Sequence, residues 1–245
     1  MNPRLTVATA GRVLAQLRRD PRTIALVLVM PCVLLWLFKE VFSAQPAVFG
    51  QLAPALLATF PLLIMFLVTS VAMVRERSGG TLERLLTTPL GKGDLMLGYG
   101  LAFGALALVQ ALAASGVALL LLGMDRPASV PVLLLIAVAD AVLGTALGLG
   151  VSALAASEFQ AVQFLPAVIL PQFLLSGLIT PTSSMAGWLD GVSRVMPLRY
   201  AVDGMGRLAH ATTVTRTVWW DLGVIAGCAV IALVVGSTTL RRTTA

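Results

Sequence analysis

Apolar residues in this chain fall into six long blocks, and its charges gather between them. The blocks cover residues 24–42, 52–74, 95–122, 130–156, 161–179 and 218–240. Each supplies roughly the 20 residues that a helix needs to cross a hydrocarbon layer. Helices are the required form, because an open backbone in lipid leaves its polar groups unpaired, and no alternating β-barrel pattern is present. The third and fourth blocks exceed the minimum, so they tilt or project beyond the bilayer. The pattern predicts an all-α integral membrane protein with six transmembrane helices, forming one transmembrane domain over residues 1–245.

Three stretches outside the blocks carry their own patterns. Residues 4–20 form an amphipathic helix, with Ala10, Val13, Leu14 and Leu17 on one face and Thr9, Arg12, Gln16 and Arg19 on another. Such a helix lies flat at the inner membrane interface with its basic residues, Arg12, Arg18 and Arg19 among them, toward anionic headgroups. A plain basic flank is the alternative. Residues 75–94 are the most charged stretch. Gly79 and Gly80 break the preceding helix, Thr81 is an N-cap, and Glu83 puts negative charge in the first turn of a new one. Leu82, Leu85 and Leu86 then share one face, and Pro89 stops the helix. A short exposed apolar face of this kind points to a partner protein. Residues 180–217 mix charges with Met185, Leu189, Val192, Val195, Met196, Leu198, Val202, Met205 and Leu208, too apolar a set for a solvated loop. They read as one or two short re-entrant helices in the outer leaflet, covered by protein.

Composition agrees with the pattern. Apolar residues make up 58% of the chain and charged residues 11%, against about 25% charged in ordinary soluble domains. The net charge of +6 could suggest nucleic acid, but the basic residues flank the apolar blocks instead of forming a stripe. Lysine and arginine set the orientation. With the N-terminus inside, Arg4, Arg12, Arg18, Arg19, Arg22, Arg75, Arg77, Arg84, Lys92, Arg241 and Arg242 are cytoplasmic. Lys39, Arg126, Arg194, Arg199, Arg207 and Arg216 are outside. Both termini therefore read as cytoplasmic. The first 22 residues are basic and polar-interrupted, and the apolar block after them is too long for a cleavable signal. Cys32 and Cys228 each sit in an apolar block, with neither metal nor disulfide spacing.

Two segments resemble the ABC-2 family of ATP-binding-cassette exporter permeases, which includes drug exporters of the daunorubicin type and permeases for nodulation factors. One is RERSGGTLERLLTTPLGKGDLML, residues 75–97. The other is FLLSGLITPTSSMAGWLDGVSRVMPLRYAVDGMGRL, residues 173–208. The second departs from the family pattern at Met196, where many relatives have asparagine, and at Gly187 before Trp188, where proline is common. The resemblance implies a dimer of six-helix subunits, each docked on a cytoplasmic ATPase that binds ATP and Mg²⁺. It implies that Arg77, Thr81, Leu82, Glu83, Arg84, Leu85, Leu86 and Pro89 form a coupling helix seated in an ATPase groove, with the N-terminal helix beside it. Substrate, an apolar or amphipathic drug, antibiotic or lipid, would then leave the cell along the dimer axis, between helices that include the second and fifth. No cofactor is expected on this chain, since it has no G-x-x-x-x-G-K-[ST] loop. Gly91-Lys92 is followed by Gly93, and Leu86 stands where the first glycine would be. The chain therefore reads as a non-catalytic subunit in the cell membrane.

Several residues have two readings. Asp140, in the middle of the fourth block, is either a proton or cation site or, as preferred here, a protonated or hydrogen-bonded group facing the bundle interior. A bare carboxylate there costs about 2.5–3.5 kcal/mol on insertion scales. The G-x-x-x-G pairs Gly100/Gly104, Gly144/Gly148 and Gly223/Gly227 favour packing within one subunit over dimerisation. Pro31, Pro54, Pro61, Pro166 and Pro171 are gating kinks or static bends. Phe60, Met65 and Phe66 in the second block, and Phe164, Gln172 and Phe173 in the fifth, line an apolar path or face lipid. His210 has no fixed partner and reads as a surface residue. Two other function classes compete. A proton-coupled secondary transporter using Asp140 would show inverted repeats, and a membrane enzyme would show convergent catalytic side chains. The sequence shows neither.

Overall fold

A computed structural model describes residues 3–79 and 91–239 of the chain. The described residues form α1 (Pro3–Arg18), α2 (Pro21–Val41), α3 (Pro46–Ser78) and α4 (Lys92–Gly116), which runs on as a π-helical turn, Val117–Leu121. Then come α5 (Val130–Ser152), α6 (Glu158–Leu175), a 3₁₀ turn (Thr182–Ser184), α7 (Gly187–Ser193), α8 (Pro197–His210) and α9 (Arg216–Thr239). Six of these helices are long and apolar enough to cross a membrane: α2, α3, α4 with its extension, α5, α6 and α9. Among the described residues there is no strand. The protein is an all-α integral membrane protein.

Local chemistry sets the helix starts. The Asp20 carboxylate accepts from the Thr23 amide at 3.2 Å and the Thr23 hydroxyl at 2.7 Å, and Pro21 opens α2, where a missing N–H costs nothing. These bonds hold the Asp20 carboxyl below its ordinary pKa. Ser157 caps α6 by accepting from the Gln160 amide at 3.2 Å.

Two of the six spans form the centre. The apolar window of α3 is 78% buried and that of α5 67%, against 17% in α2, 17% in α6 and 22% in α9. Glycine explains how α3 and α5 come together. A Cβ on Gly144 would lie 2.3 Å from the Leu62 carbonyl oxygen, and one on Gly148 would lie 2.5 Å from that of Phe66. With backbones this close, the Thr69 hydroxyl reaches the Thr145 carbonyl at 3.4 Å while bonding Met65 of its own helix at 2.6 Å. The pair Gly144/Gly148 thus packs within one subunit, as expected. By contrast, a Cβ on Gly223 or Gly227 would meet nothing within 4 Å among the described residues.

The end where α2 starts and α3 finishes is here termed basal, and the opposite end distal. The distal end carries α7 and α8. Leu198, Ala201, Val202, Met205 and Leu208 of α8 are buried, and the helix packs on α3, α5 and α9. This agrees with short, protein-covered helices in the 180–217 segment. Gly177 adopts φ +93°, a left-handed conformation that lets the chain turn sharply after α6. Trp188, Trp219 and Trp220 are exposed on or beside this end, as expected of indoles at a membrane interface.

The structure corrects the sequence reading in several places, and the fourth span, expected over 130–156, ends at Ser152. The second span is longer than the block 52–74, because α3 runs from Pro46 to Ser78 and takes Arg75–Arg77 into its last turn. The fifth is shorter, ending at Leu175, since Ser176–Ile179 turn away. The inward face of α1 is also rotated. Thr6, Thr9, Ala10 and Val13 are buried, while Leu14 is 41% exposed. The physical reason is the neighbour. α1 lies across α4, where Gly98 offers no side chain, and a Cβ there would stand 2.6 Å from Thr9 Cβ. A small residue such as Thr9 fits this crossing better than a leucine.

Candidate functional site

The coupling segment assigned from sequence, Thr81, Leu82, Glu83, Arg84, Leu85, Leu86 and Pro89, lies outside the described residues. What the structure describes is its attachment. Successive helical residues point about 100° apart, so three charged residues in a row at the end of α3 reach three different neighbours. Arg75 makes a bidentate pair with Glu158, the first residue of α6, at 3.0 and 2.9 Å. Glu76 meets Arg12 of α1 at 3.5 Å. Arg77 donates to the Ser152 and Ala155 carbonyls, at 2.7 and 3.0 Å, where α5 ends. The last contact adds side-chain donors to carbonyls at and just beyond the end of a helix, where the intrahelical ladder runs out.

Arg12 closes the junction from above. Its guanidinium donates to the Tyr99 hydroxyl of α4 at 2.7 Å and sits 5.7 Å from the centre of the same ring. Thr6 donates to Asp94 of α4 at 3.2 Å. Arg12 is therefore only one-third exposed, instead of lying on the outward polar face of the sequence reading. Arg18 and Arg19 do stand exposed at the end of the helix. The sequence reading missed Glu76, Tyr99, Asp94 and Glu158. The available signal was an unbroken run of charges on the final turn of a spanning helix, where each charge needs a partner from a different element.

Beside this junction lies a cavity of 490 Å³ between α1, α2, α3, α4 and the start of α6. Leu26, Val68, Val71, Ala72 and Phe103 contribute apolar wall, and Asp20, Arg75 and Glu76 contribute charge. One Glu76 oxygen, Oε2, and the Arg12 Nε are buried without a hydrogen-bond partner among the described residues.

The six residues suggested for a substrate path are spread through the bundle. Phe60, Met65 and Phe66 are buried in the core, Phe60 against Phe38 of α2 at 5.6 Å between ring centres. Gln172 is buried and donates to the Val168 carbonyl at 3.1 Å, while Phe164 and Phe173 are half-buried. None of the six lines the basal cavity. Asp140 is fully buried, and neither of its oxygens has a partner among the described residues. It is one turn before Gly144 on the helix face that meets α3.

The distal end holds a second charged cluster. Arg199 binds Asp190 at 2.7 Å and also Ser193, Arg194 binds Asp190 at 2.6 Å, and Asp203 lies 3.7 Å from Arg199 and 3.8 Å from Arg207. Arg207 also pairs with Asp221, a buried carboxylate near the start of α9. Bonds from Arg199 and Arg194 hold the Asp190 carboxyl below its ordinary range, and burial pushes that of Asp203 upward against the pull of Arg207 and Arg199. The i, i+4 spacing of Arg199, Asp203 and Arg207 was a legible sign of this ladder. His210 is exposed on the rim of a distal cavity beside the α2–α3 turn.

A two-helix core with four less buried spans around it, a junction of charges at one end and short amphipathic helices at the other define a multi-pass membrane protein. Residues 4–207 match the family described as ABC-2 type transporter, and the chain belongs to that family. It is 26% identical over 175 residues to the "Probable multidrug ABC transporter permease YbhR" of Escherichia coli, a match covering 70% of this chain and 48% of that protein. It is 28% identical over 182 residues to the "Inner membrane transport permease YhhJ" of the same organism, covering 72% and 47%. A similar match, 26% over 171 residues, links it to "ABC transporter G family member 20" of Dictyostelium discoideum, covering 66% of this chain and 23% of that one. The chain thus spans about half the length of its bacterial relatives.

Proposed function

We propose that this chain is the membrane-spanning subunit of an ATP-driven exporter, with ATP and Mg²⁺ bound by a separate cytoplasmic ATPase. The observation that carries the proposal is the junction at Arg75, Glu76 and Arg77, which ties the α3 side of the 80–90 segment to α1, α5 and α6 at once. A push on that segment moves several spans together, as a coupling element must. In this reading the basal end, both termini and residues 75–94 are cytoplasmic, and the subunit sits in the plasma membrane. It pairs with a second six-helix subunit, identical or homologous, and the substrate passes between them along α3 and α6. Names of relatives such as YbhR, a "multidrug" permease, favour an apolar or amphipathic small molecule.

The test co-expresses the chain with an ABC ATPase from the same genome and purifies the pair. Leu82→Asp, Leu85→Asp and Leu86→Asp each bring a carboxylate into an apolar contact. A desolvated, unpaired carboxylate costs several kcal/mol, enough to weaken docking about a thousandfold at roughly 1.4 kcal/mol per tenfold. Membrane insertion should stay normal while ATPase co-purification and substrate efflux disappear. If all three variants keep their ATPase and transport like the parent, the coupling assignment fails. Proton-coupled transport through Asp140 is the competing reading, with a buried carboxyl that has no partner among the described residues in its favour.

A further inference from the structure

We propose that the basal cavity seats one anionic phospholipid, with an acyl chain between α2, α3, α4 and α6 and the headgroup phosphate against the arginines of the α1–α2 turn. The site belongs to this chain alone, and the exporter reading only assigns it to the inner leaflet. Three observations carry the proposal. First, the cavity grades from apolar to charged along two helices that run in opposite directions. On α2 its wall goes from Leu26 through Thr23 to Asp20, and on α3 from Leu67 through Val71 to Arg75. At 1.5 Å per residue these runs cover roughly 9 and 12 Å. Phe103 of α4 and Val162 of α6 complete the apolar part. The volume of 490 Å³ suits the apolar body of a small molecule. The gradient fits an amphiphile with its polar end at the basal surface, and a phospholipid is the amphiphile that a membrane presents in that orientation.

Second, the mouth carries spare positive charge. Gln16, Leu17, Asp20 and Thr23 belong to the wall, so the α1–α2 turn forms one side of the mouth. Arg18, Arg19 and Arg22 of that turn are exposed, and none of their side chains has a partner among the described residues. The acids beside them are committed, Asp20 to Thr23 and Glu158 to Arg75. Arginines clustered at the cytoplasmic flank of a spanning helix attract anionic headgroups, and the guanidinium fork matches phosphate oxygens. Third, the two halves of the site are held together. Arg12 fixes α1 on α4 through the Tyr99 hydroxyl at 2.7 Å, and Thr6 does so through Asp94 at 3.2 Å. The Asp20 cap fixes the start of α2. The backbone that carries the arginines therefore stays beside the apolar slot, which lowers the ordering cost of binding.

General attraction of a basic flank to anionic headgroups needs no slot, so the two are separable. The experiment uses the full chain without an ATPase, in phosphatidylcholine nanodiscs that carry a minor fraction of phosphatidylglycerol with a photoreactive acyl chain. Labelled peptides are mapped by mass spectrometry. Peptides bearing Leu26, Val71 and Val162 should take the label, and plain phosphatidylglycerol should compete for it. Phosphatidylcholine with the same photoreactive chain should label them far less. Arg18→Gln, Arg19→Gln and Arg22→Gln combined should weaken phosphatidylglycerol binding about a hundredfold, at about fivefold per arginine. Val71→Trp and, separately, Ala72→Phe fill the slot and should remove the label there, while label on other lipid-facing peptides persists. Equal slot labelling by the two lipids, unchanged competition in the arginine variant, or unchanged slot labelling in both filled variants overturns the proposal. Binding is read without ATP, so absence of ATP-driven efflux in the parent counts against the exporter reading and leaves the site standing.

Discussion

Gly144→Ala should loosen the centre of the bundle. The added Cβ would stand 2.3 Å from the Leu62 carbonyl oxygen and 3.0 Å from its carbonyl carbon and Cα. These are backbone atoms, so no rotamer change relieves them. Restoring ordinary contact requires α3 and α5 to part by about 1 Å, and a gap of that size forfeits a quarter to a half of each dispersion contact along the interface. The Thr69–Thr145 bond, already 3.4 Å long, would break as well, at about 0.6 kcal/mol for an average interhelical bond in a membrane. Overpacking typically costs about 1–3 kcal/mol, and the rigid neighbours place this change at the upper end. At about 2–4 °C per kcal/mol for a protein of this size, the melting temperature in detergent should fall by roughly 6–12 °C. Gly227→Ala is the control. Its added Cβ meets nothing within 4 Å among the described residues, and the change gains about 0.5–1 kcal/mol of helix preference, so its melt should hold or rise. If Gly144→Ala melts with the parent, or Gly227→Ala drops as far, the close approach of α3 and α5 is not what holds the core.

Other outcomes follow from the charged groups. Asp140→Asn should insert, keep substantial transport and melt no lower than the parent, because neither carboxyl oxygen has a partner to lose among the described residues. Lost transport with intact ATPase association would make Asp140 functional. Arg207→Ala should destabilise by about 1–3 kcal/mol, since it leaves the buried Asp221 carboxylate without its bond. Adding Asp221→Asn should recover part of that loss in the same thermal melt. Asp190 has its pKa lowered in the fold from an ordinary 3.8, chiefly by Arg199 and then Arg194. Its stabilising contribution is therefore complete above 3.8 and is lost as pH falls through the lowered value. Melts taken from pH 6 down to about 3 should show a smaller decline in Asp190→Asn than in the parent, and identical profiles would contradict the bonding seen at this site.

Much of the architecture was legible in the amino-acid order, because lipid imposes a simple rule. A chain that crosses hydrocarbon must pair its backbone internally, so six apolar blocks become six helices whatever their neighbours are. The short helices within 180–217 followed from the same reasoning, since Leu198, Val202, Met205 and Leu208 recur at helical spacing between charges. Interior faces were not legible. In a soluble helix the apolar side is the buried side, but a spanning helix is apolar all round, so periodicity no longer separates core from lipid. Only the assembled bundle shows that α3 and α5 are central, that Gly144 and Gly148 bring them together while Gly223 and Gly227 meet no neighbour among the described residues, and that Phe60, Met65 and Phe66 are packing residues. The same limit applies to α1, where the crossing with Gly98 of α4, 89 residues from Thr9, turns threonines inward and leaves Leu14 exposed. The partners of Arg12, Arg75 and Arg77 lie 64 to 87 residues away in the chain. Residue order shows that such charges need partners, and the tertiary fold decides which ones they find.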